Sequence, residues 1–518
     1  MILGVKLLRF ISLLLIVSLG ISSLPINQTI SATFPTLPIN EIAVITSDVH
    51  SSLYQEIEIG DYFETNYVLG EQQSFWIYDY YLGDIQIQAT LISVGSHCYI
   101  YMDDRAIATI GNSAANSTCV ILKNEFDQTI YPKGIELAGD PNGRFGDIDG
   151  DPKVTILLVP IDPYGGYYRF DDEDPSSPYS NHREMIFVNS NRNILDIIKT
   201  TTHEFNHLIW GNYEQDEAPF LTEGAANYAL FYSGYLSNLN YITVEPALNL
   251  CAETHSFSSH PEIPLLGWHY IDSDLVVADY GQAYMFMFYL AERFGDDFIA
   301  QLVSETLDGP IGIDHALASS GYNISFNEIY LNWITACTID EVSFGDGLYG
   351  FNQANFTISK INTISSFPAE IENKKYYYYG FDIKKVISPP NEFTFQITNP
   401  PSIYSLGLSI IVHDKNGWNV TQILHTSDAE VINTFITGSS IDFVYIVTSL
   451  MFNSTPITYS YNGIYHAPDI IVLLDCLFVE GHLPSETKVN GITKAFTLLF
   501  PIAFCTRILI SYFRKKHS

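Results

Sequence analysis

Apolar residues change their spacing twice along this chain, so it cannot fold as one layer or one class of structure. From about residue 30 to residue 130 apolar and polar positions alternate, as in Ser74-Phe-Trp-Ile-Tyr-Asp, Ile85-Gln-Ile-Gln-Ala-Thr-Leu-Ile and Cys98-Tyr-Ile-Tyr-Met. That two-residue period belongs to strands with one buried face. From about Ile194 onward the period turns helical, with segments at Ile194–Trp210, Pro219–Tyr232, Tyr284–Phe294, Phe298–Thr306, Ile313–Ser320 and Phe326–Cys337. Pro219 sits where a first helical turn tolerates proline, and Ser325 is a suitable N-cap. Alternation returns between about 350 and 465, in Tyr376-Tyr-Tyr-Tyr-Gly-Phe-Asp-Ile, Glu392-Phe-Thr-Phe-Gln-Ile and Leu406-Gly-Leu-Ser-Ile-Ile-Val. Turn residues punctuate it at sandwich-like intervals. The expected fold is α+β: an N-terminal β domain over 30–130, a mixed domain over 131–345 and a C-terminal β-sandwich over 346–465. A chain of 518 residues is long enough for several such cores.

The two ends read differently. Lys6 and Arg9 precede an apolar stretch, Phe10–Leu19, followed by small residues at Gly20, Ser22 and Ser23, the pattern of a secretory signal over 1–24. Asn-x-Ser/Thr triplets at Asn27, Asn116, Asn323, Asn355, Asn419 and Asn453 fit an exported, glycosylated protein. The tail 466–518 carries a nearly apolar run at 495–513 with Arg514, Lys515 and Lys516 behind it. This is the pattern of a single-pass anchor with a cytoplasmic basic end. Arg507 inside the run weighs against full insertion. The expected location is therefore extracellular or cell-surface.

Charge narrows the partners. The formal net charge is −34, with only 24 Lys and Arg against 58 Asp and Glu. A phosphate-binding surface has little to be built from, which argues against nucleic acid, whereas cations are attracted. Six cysteines lie far apart without a C-x-x-C pair, so no cysteine metal cluster is expected. Cys98 with Cys119, and Cys251 with Cys337, are candidate disulfides; buried thiols are the alternative.

The most specific signal is Thr200-Thr-Thr-His-Glu-Phe-Asn-His-Leu-Ile-Trp-Gly. On a helix, His203 and His207 stand at i and i+4 and point at one ion. Glu204, beside the first ligand, can take a proton from activated water and pass it to a leaving amine. A catalytic zinc usually takes three protein ligands and keeps one corner open. Phe220-Leu-Thr-Glu-Gly-Ala-Ala-Asn-Tyr-Ala on the next helix supplies Glu223 as third ligand. Asn227, one turn on, is placed to hydrogen-bond a ligating imidazole.

His-Glu-Phe-Asn-His followed by Leu-Thr-Glu-Gly-Ala-Ala-Asn-Tyr-Ala resembles the gluzincin metallopeptidases, and within them the hyicolysin-type secreted peptidases. Ala89-Thr-Leu-Ile-Ser-Val-Gly-Ser-His-Cys-Tyr-Ile-Tyr-Met-Asp-Asp, Lys153-Val-Thr-Ile-Leu-Leu and Ser180-Asn-His-Arg-Glu-Met-Ile-Phe-Val-Asn contribute to a likeness spanning roughly 70–340. The resemblance implies a zincin-like catalytic domain, one catalytic zinc and a peptide or protein substrate that adds to the strand beginning at Glu184. Asp279-Tyr-Gly-Gln-Ala-Tyr-Met-Phe resembles the segment carrying the catalytic tyrosine of gluzincin aminopeptidases, which makes Tyr280 the candidate oxyanion donor. The aminopeptidase glycine-x-methionine-glutamate-asparagine signature is absent from the sequence, which favours an endopeptidase. A zinc-binding but non-cleaving adhesion protein, and an envelope protein with an accidental motif, are the rival readings.

Asp147-Ile-Asp-Gly-Asp places Asp147, Asp149 and Asp151 at calcium-loop spacing but lacks the downstream glutamate of an EF-hand. It reads first as a plain turn and second as a calcium site. Asp171-Asp-Glu-Asp reads as a solvated acidic loop.

Overall fold

The computed structural model describes residues 67–236, 252–269, 275–398, 405–425, 431–437, 440–452 and 471–481. All belong to the second of two units, residues 63–518. The expected signal peptide, the 495–513 segment and Cys251 lie outside the described residues. Among the described residues no helix is long and apolar enough to cross a membrane.

The fold is α+β. Strands β1 (Gln72–Asp79), β2 (Gly83–Val94), β3 (Cys98–Asp103), β4 (Val154–Val159), β5 (Gly166–Tyr168) and β6 (Met185–Asn189) form one sheet in the order β1-β2-β3-β4-β6-β5. β3, β4 and β6 run parallel, and the outer strands pair antiparallel. An independent N-terminal β domain over 30–130 is therefore not what the strands build. β1–β3 are half of the sheet that β4–β6 complete. The physical reason lies in β3, β4 and β6, where every residue is buried. Cys98, Ile100, Met102, Ile156, Leu158, Ile186 and Val188 face the helices. Tyr99, Tyr101, Leu157, Val159, Met185 and Phe187 face a second cluster with Phe75, Ile77 and Leu91 of β1 and β2. A central strand needs apolar residues on both faces, and only its neighbours reveal that it is central.

Residues 104–138 are helical, not stranded: α1 (Asp104–Ile110), α2 (Asn112–Glu125), a π-helical turn at Phe126–Ile130 and α3 (Tyr131–Ala138). Asp103 starts this run by accepting a hydrogen bond from the Arg105 N–H at 2.7 Å. The helices beyond the sheet are α4 (Ile194–Gly211), α5 (Pro219–Tyr232), α6 (Ala252–Ser259), α7 (Val276–Phe294), α8 (Asp297–Ser304), α9 (Gly309–Ser319) and α10 (Phe326–Ile339). α4, α5, α8, α9 and α10 fall close to where periodicity puts them, α7 starts eight residues earlier than expected, and α6 has no counterpart among the expected segments. Asn193 caps α4, and Ser325 with Glu328 forms a reciprocal capping box on α10. α7 is buried along most of its length, as its all-round apolar sequence requires.

The C-terminal strands are β7 (Asn362–Ile364), β8 (Ala369–Tyr377), β9 (Phe381–Ile387), β10 (Glu392–Thr398), β11 (Ser405–Asp414), β12 (Gly417–His425), β13 (Val431–Thr437), β14 (Ile441–Met451) and β15 (Ile471–Glu480). They form sheets ordered β13-β10-β15-β8 and β12-β11-β14-β9-β7. The stretch Tyr376–Ile383 is two strands in different sheets, not one. The chain turns at Tyr379, whose φ is 49°, and at Gly380, where a Cβ would meet the Glu262 carbonyl oxygen at 2.2 Å. Lys384, wholly buried, ties the sheets together by donating to Asp382 Oδ2 and to the Tyr376 hydroxyl at 2.5 and 2.8 Å. α10 docks on this region through Thr335 and Ser409, whose hydroxyls lie 2.7 Å apart.

Cys98 and Cys119 are buried thiols and form no bridge; Cys337 is likewise a buried free thiol. Burial pushes the Cys119 thiol up to about 12, so it stays protonated and packs as a small apolar group. The acidic run at 171–174 is only half solvated: Asp172 and Glu173 are buried. Asp172 pairs with Arg169 at 2.8 Å, which also reaches Asp84 at 2.9 Å.

Candidate metal centre

Two adjacent helices build the site. α4 leaves β6 after a short turn and presents His203 and His207 on one face; α5 returns beside it and presents Glu223. Gly224 permits the close approach of α5 to α7, because a Cβ there would meet the Ala283 carbonyl oxygen at 2.6 Å. Three donor atoms converge. His203 Nε2 and His207 Nε2 are 3.0 Å apart, and Glu223 Oε2 lies 3.1 and 3.2 Å from them. A tetrahedral zinc at about 2.0–2.1 Å from each ligand sets its donors roughly 3.3 Å apart, so this triangle fits such an ion.

Protonation supports the same conclusion. His203 Nδ1 lies 3.1 Å from Asn227 Oδ1. An amide oxygen only accepts, so Nδ1 carries the proton and Nε2 turns its lone pair toward His207 and Glu223. Burial opposes a charge on Glu223, yet positive charge beside it, carried by the His207 and His203 rings when they are protonated, holds its carboxyl well below the usual carboxylate range, a pull that a bound cation would replace. The three side chains keep 16–17% of their surface exposed, which leaves one side open to solvent. The donor set is two nitrogens and one oxygen, suited to a borderline-soft divalent ion.

Asn227→Ala is expected to weaken binding of a divalent metal ion at this group by about 10–100-fold, the usual loss when an imidazole's orienting partner is removed. Competition against a chromophoric chelator measures it. Unchanged affinity would show that Asn227 does not set the His203 tautomer.

Glu204 lies on the same helix but outside the triangle. Burial, then the charge of Glu223, pushes its carboxyl up to about 7 against the pull of His203 and the Tyr168 N–H. Beside it runs β5, whose three residues are too few to show a period in the sequence. At Gly166 of β5 a Cβ would meet Thr200 Cγ2 at 2.5 Å and Glu204 Cγ at 3.0 Å. Only glycine lets the strand lie that close to the carboxylate. β5 also corrects the expected sheet edge: the strand beginning at Glu184 is interior, between β4 and β5, and β5 is the edge.

Tyr280 on α7 comes close to the centre, its ring centroid 6.5 Å from that of His203 and 5.0 Å from Trp268. Its neighbour Asp279 is buried and accepts from the backbone N–H of His269 at 2.7 Å, while His269 Nδ1 lies 2.9 Å from both carboxylate oxygens. Sequence reasoning missed this pair, since nothing local links positions ten apart in the sequence.

The second acidic group is rearranged. Asp147 and Asp149 cluster with Glu184, not with Asp151; the ligating atoms of the three lie within 4.8 Å of one another. Asp151 is drawn away, accepting from the Tyr99 hydroxyl at 2.7 Å and the Lys153 N–H at 3.2 Å. Among the described residues, two groups thus have the geometry to hold a metal ion: His203, His207 and Glu223, and Asp147, Asp149 and Glu184.

No family model matches the chain, and no curated protein matches it. Among solved structures it is similar over 23% of its length to the pre-peptidase C-terminal domain of a collagenase from Bacillus anthracis, at 10% identity, covering 94% of that domain with a TM-score of 0.16. CorA, a surface-associated copper-binding protein of Methylomicrobium album BG8, is similar over 23% of this chain and 100% of its own at 8% identity, also with a TM-score of 0.16. At such scores neither likeness bears on function.

Proposed function

We propose that this chain is a zinc-dependent metallopeptidase of gluzincin type, acting outside the cytoplasm and cutting within protein chains. The observation that carries the reading is the convergence of His203, His207 and Glu223, with Glu204 beside them and not among them. His203, His207 and Glu223 would hold the ion. Bound there, zinc supplies Lewis acidity to water and to the scissile carbonyl.

The remaining work falls to side chains. Glu204, whose carboxyl is balanced near neutrality, removes a proton from the attacking water and returns it to the departing nitrogen. Tyr280 donates its hydroxyl to the oxygen that gains charge. An extended substrate adds to the outer side of β5, so that backbone hydrogen bonds fix its register against Glu204. An edge strand antiparallel to its neighbour and lying along the helix of the two histidines supports the zincin arrangement. The scarcity of basic residues agrees with a substrate other than nucleic acid.

Dialysis of the purified protein against a chelator is expected to bring cleavage of a peptide library to background, and one equivalent of zinc to restore it. Turnover that survives complete zinc removal would refute the proposal. Stoichiometric zinc without any cleavage would favour the non-cleaving adhesion protein instead.

A further inference from the structure

We propose that Asp147, Asp149 and Glu184 form a calcium site that fastens the loop before β4 to the start of β6, behind the catalytic helix. The three carboxylates come from two separate parts of the chain, Asp147 and Asp149 from one loop and Glu184 from the start of β6, yet their ligating atoms lie within 4.8 Å of one another. Calcium binds oxygens at 2.3–2.6 Å, so two ligands of one ion are at most about 5 Å apart.

The second observation is Glu184 itself. It is 3% exposed. Its Oε1 accepts from the Ile148 N–H at 2.7 Å, whereas Oε2 is buried with no hydrogen-bond partner among the described residues. A buried carboxylate oxygen left unmatched is costly, and a cation between Glu184 and the two aspartates removes that cost. The neighbouring cation does not do so. Arg183 lies over the Phe75 ring at 5.5 Å, and among the described residues it makes no ion pair with these carboxylates. Burial, then neighbouring carboxylates, pushes Glu184 up to about 7.

Donor chemistry selects the ion. Three carboxylates offer hard oxygens only, which suits calcium over zinc. Magnesium demands a tighter octahedron and keeps several waters. The two metal groups of this protein would thus be sorted by ligand type. The consequence is mechanical. The loop holding Asp147 also clamps the end of α4, because the Arg144 N–H donates to the Asn212 carbonyl at 2.8 Å, and Asn212 is the C-cap of α4. An ion on Asp147, Asp149 and Glu184 therefore braces the helix of His203 and His207 at its far end while pinning the strand that leads into it.

The test uses the full chain, stripped of metal, reloaded with one equivalent of zinc and titrated with calcium up to about 10 mM, ample for extracellular modules. Calorimetry and thermal denaturation are the readouts, with magnesium in a parallel titration. One calcium per chain is expected, with Tm raised by several degrees. Binding should weaken at least tenfold in Glu184→Gln and in Asp149→Asn, but not in Asp171→Asn. Asp149 is exposed, so its variant decides the matter should Glu184→Gln fail to fold. Glu223→Ala, which removes a zinc ligand, should still bind calcium, which separates this site from the catalytic one. No calcium-dependent heat or Tm shift, unchanged affinity in Asp149→Asn, or equal binding of magnesium would overturn the assignment.

Discussion

Glu204→Gln is expected to retain one zinc per chain while kcat/KM for peptide cleavage falls by about 10²–10⁴-fold, the usual worth of a positioned acid–base group. The reasoning is geometric. The metal triangle is complete without Glu204, so exchanging one of its oxygens for an amide takes nothing from the ion. Its carboxyl is buried beside Gly166 of β5, where glutamine has nearly the same shape, so packing should survive. What disappears is a group that can accept a proton near neutral pH. Metal analysis and steady-state kinetics on the same preparation decide it. Activity within a few-fold of wild type would remove Glu204 from the chemistry.

Glu223→Ala should do the opposite, removing the metal and, with it, the activity. Its carboxylate is the one negative donor of the triangle, within 3.2 Å of both imidazole nitrogens. The loss of zinc affinity should exceed the roughly 100-fold that outer-shell changes reach. Folding stability reports it independently. Zinc at a thousand times its Kd stabilises a folded site by about 4 kcal/mol, so the wild-type Tm should rise on adding zinc while that of Glu223→Ala stays still. A variant that keeps the zinc-dependent shift would show that the carboxylate is not a ligand.

Both variants rest on a site that could be read in the sequence because it is written locally. His203 and His207 are one helical turn apart, and Pro219 marks where α5 begins. Glu223 needs only one short turn between the two helices to face the histidines. Features that depend on distant partners were not legible. That β3 lies mid-sheet follows from its parallel pairing with β4, across a gap filled by helices. The longest helix within 104–138, α2, was hidden by a polar sequence with a weak apolar stripe. β5 is three residues long and exists only because β6 offers it an edge. The replacement of Asp151 by Glu184 has the same origin: the spacing of the aspartates suggests a self-contained loop, whereas a buried strand-end carboxylate completes the group. The corner at Tyr379 and Gly380 is masked by the four consecutive tyrosines Tyr376–Tyr379, which all suit a strand, and it is imposed by the Glu262 carbonyl packed against Gly380.

The decisive measurement is anomalous diffraction at the zinc edge from crystals of the full chain. A single strong peak about 2.0–2.1 Å from His203 Nε2, His207 Nε2 and one Glu223 oxygen, with Glu204 outside that distance, is the predicted result. A peak elsewhere, or Glu223 rotated away from both imidazoles, would contradict it.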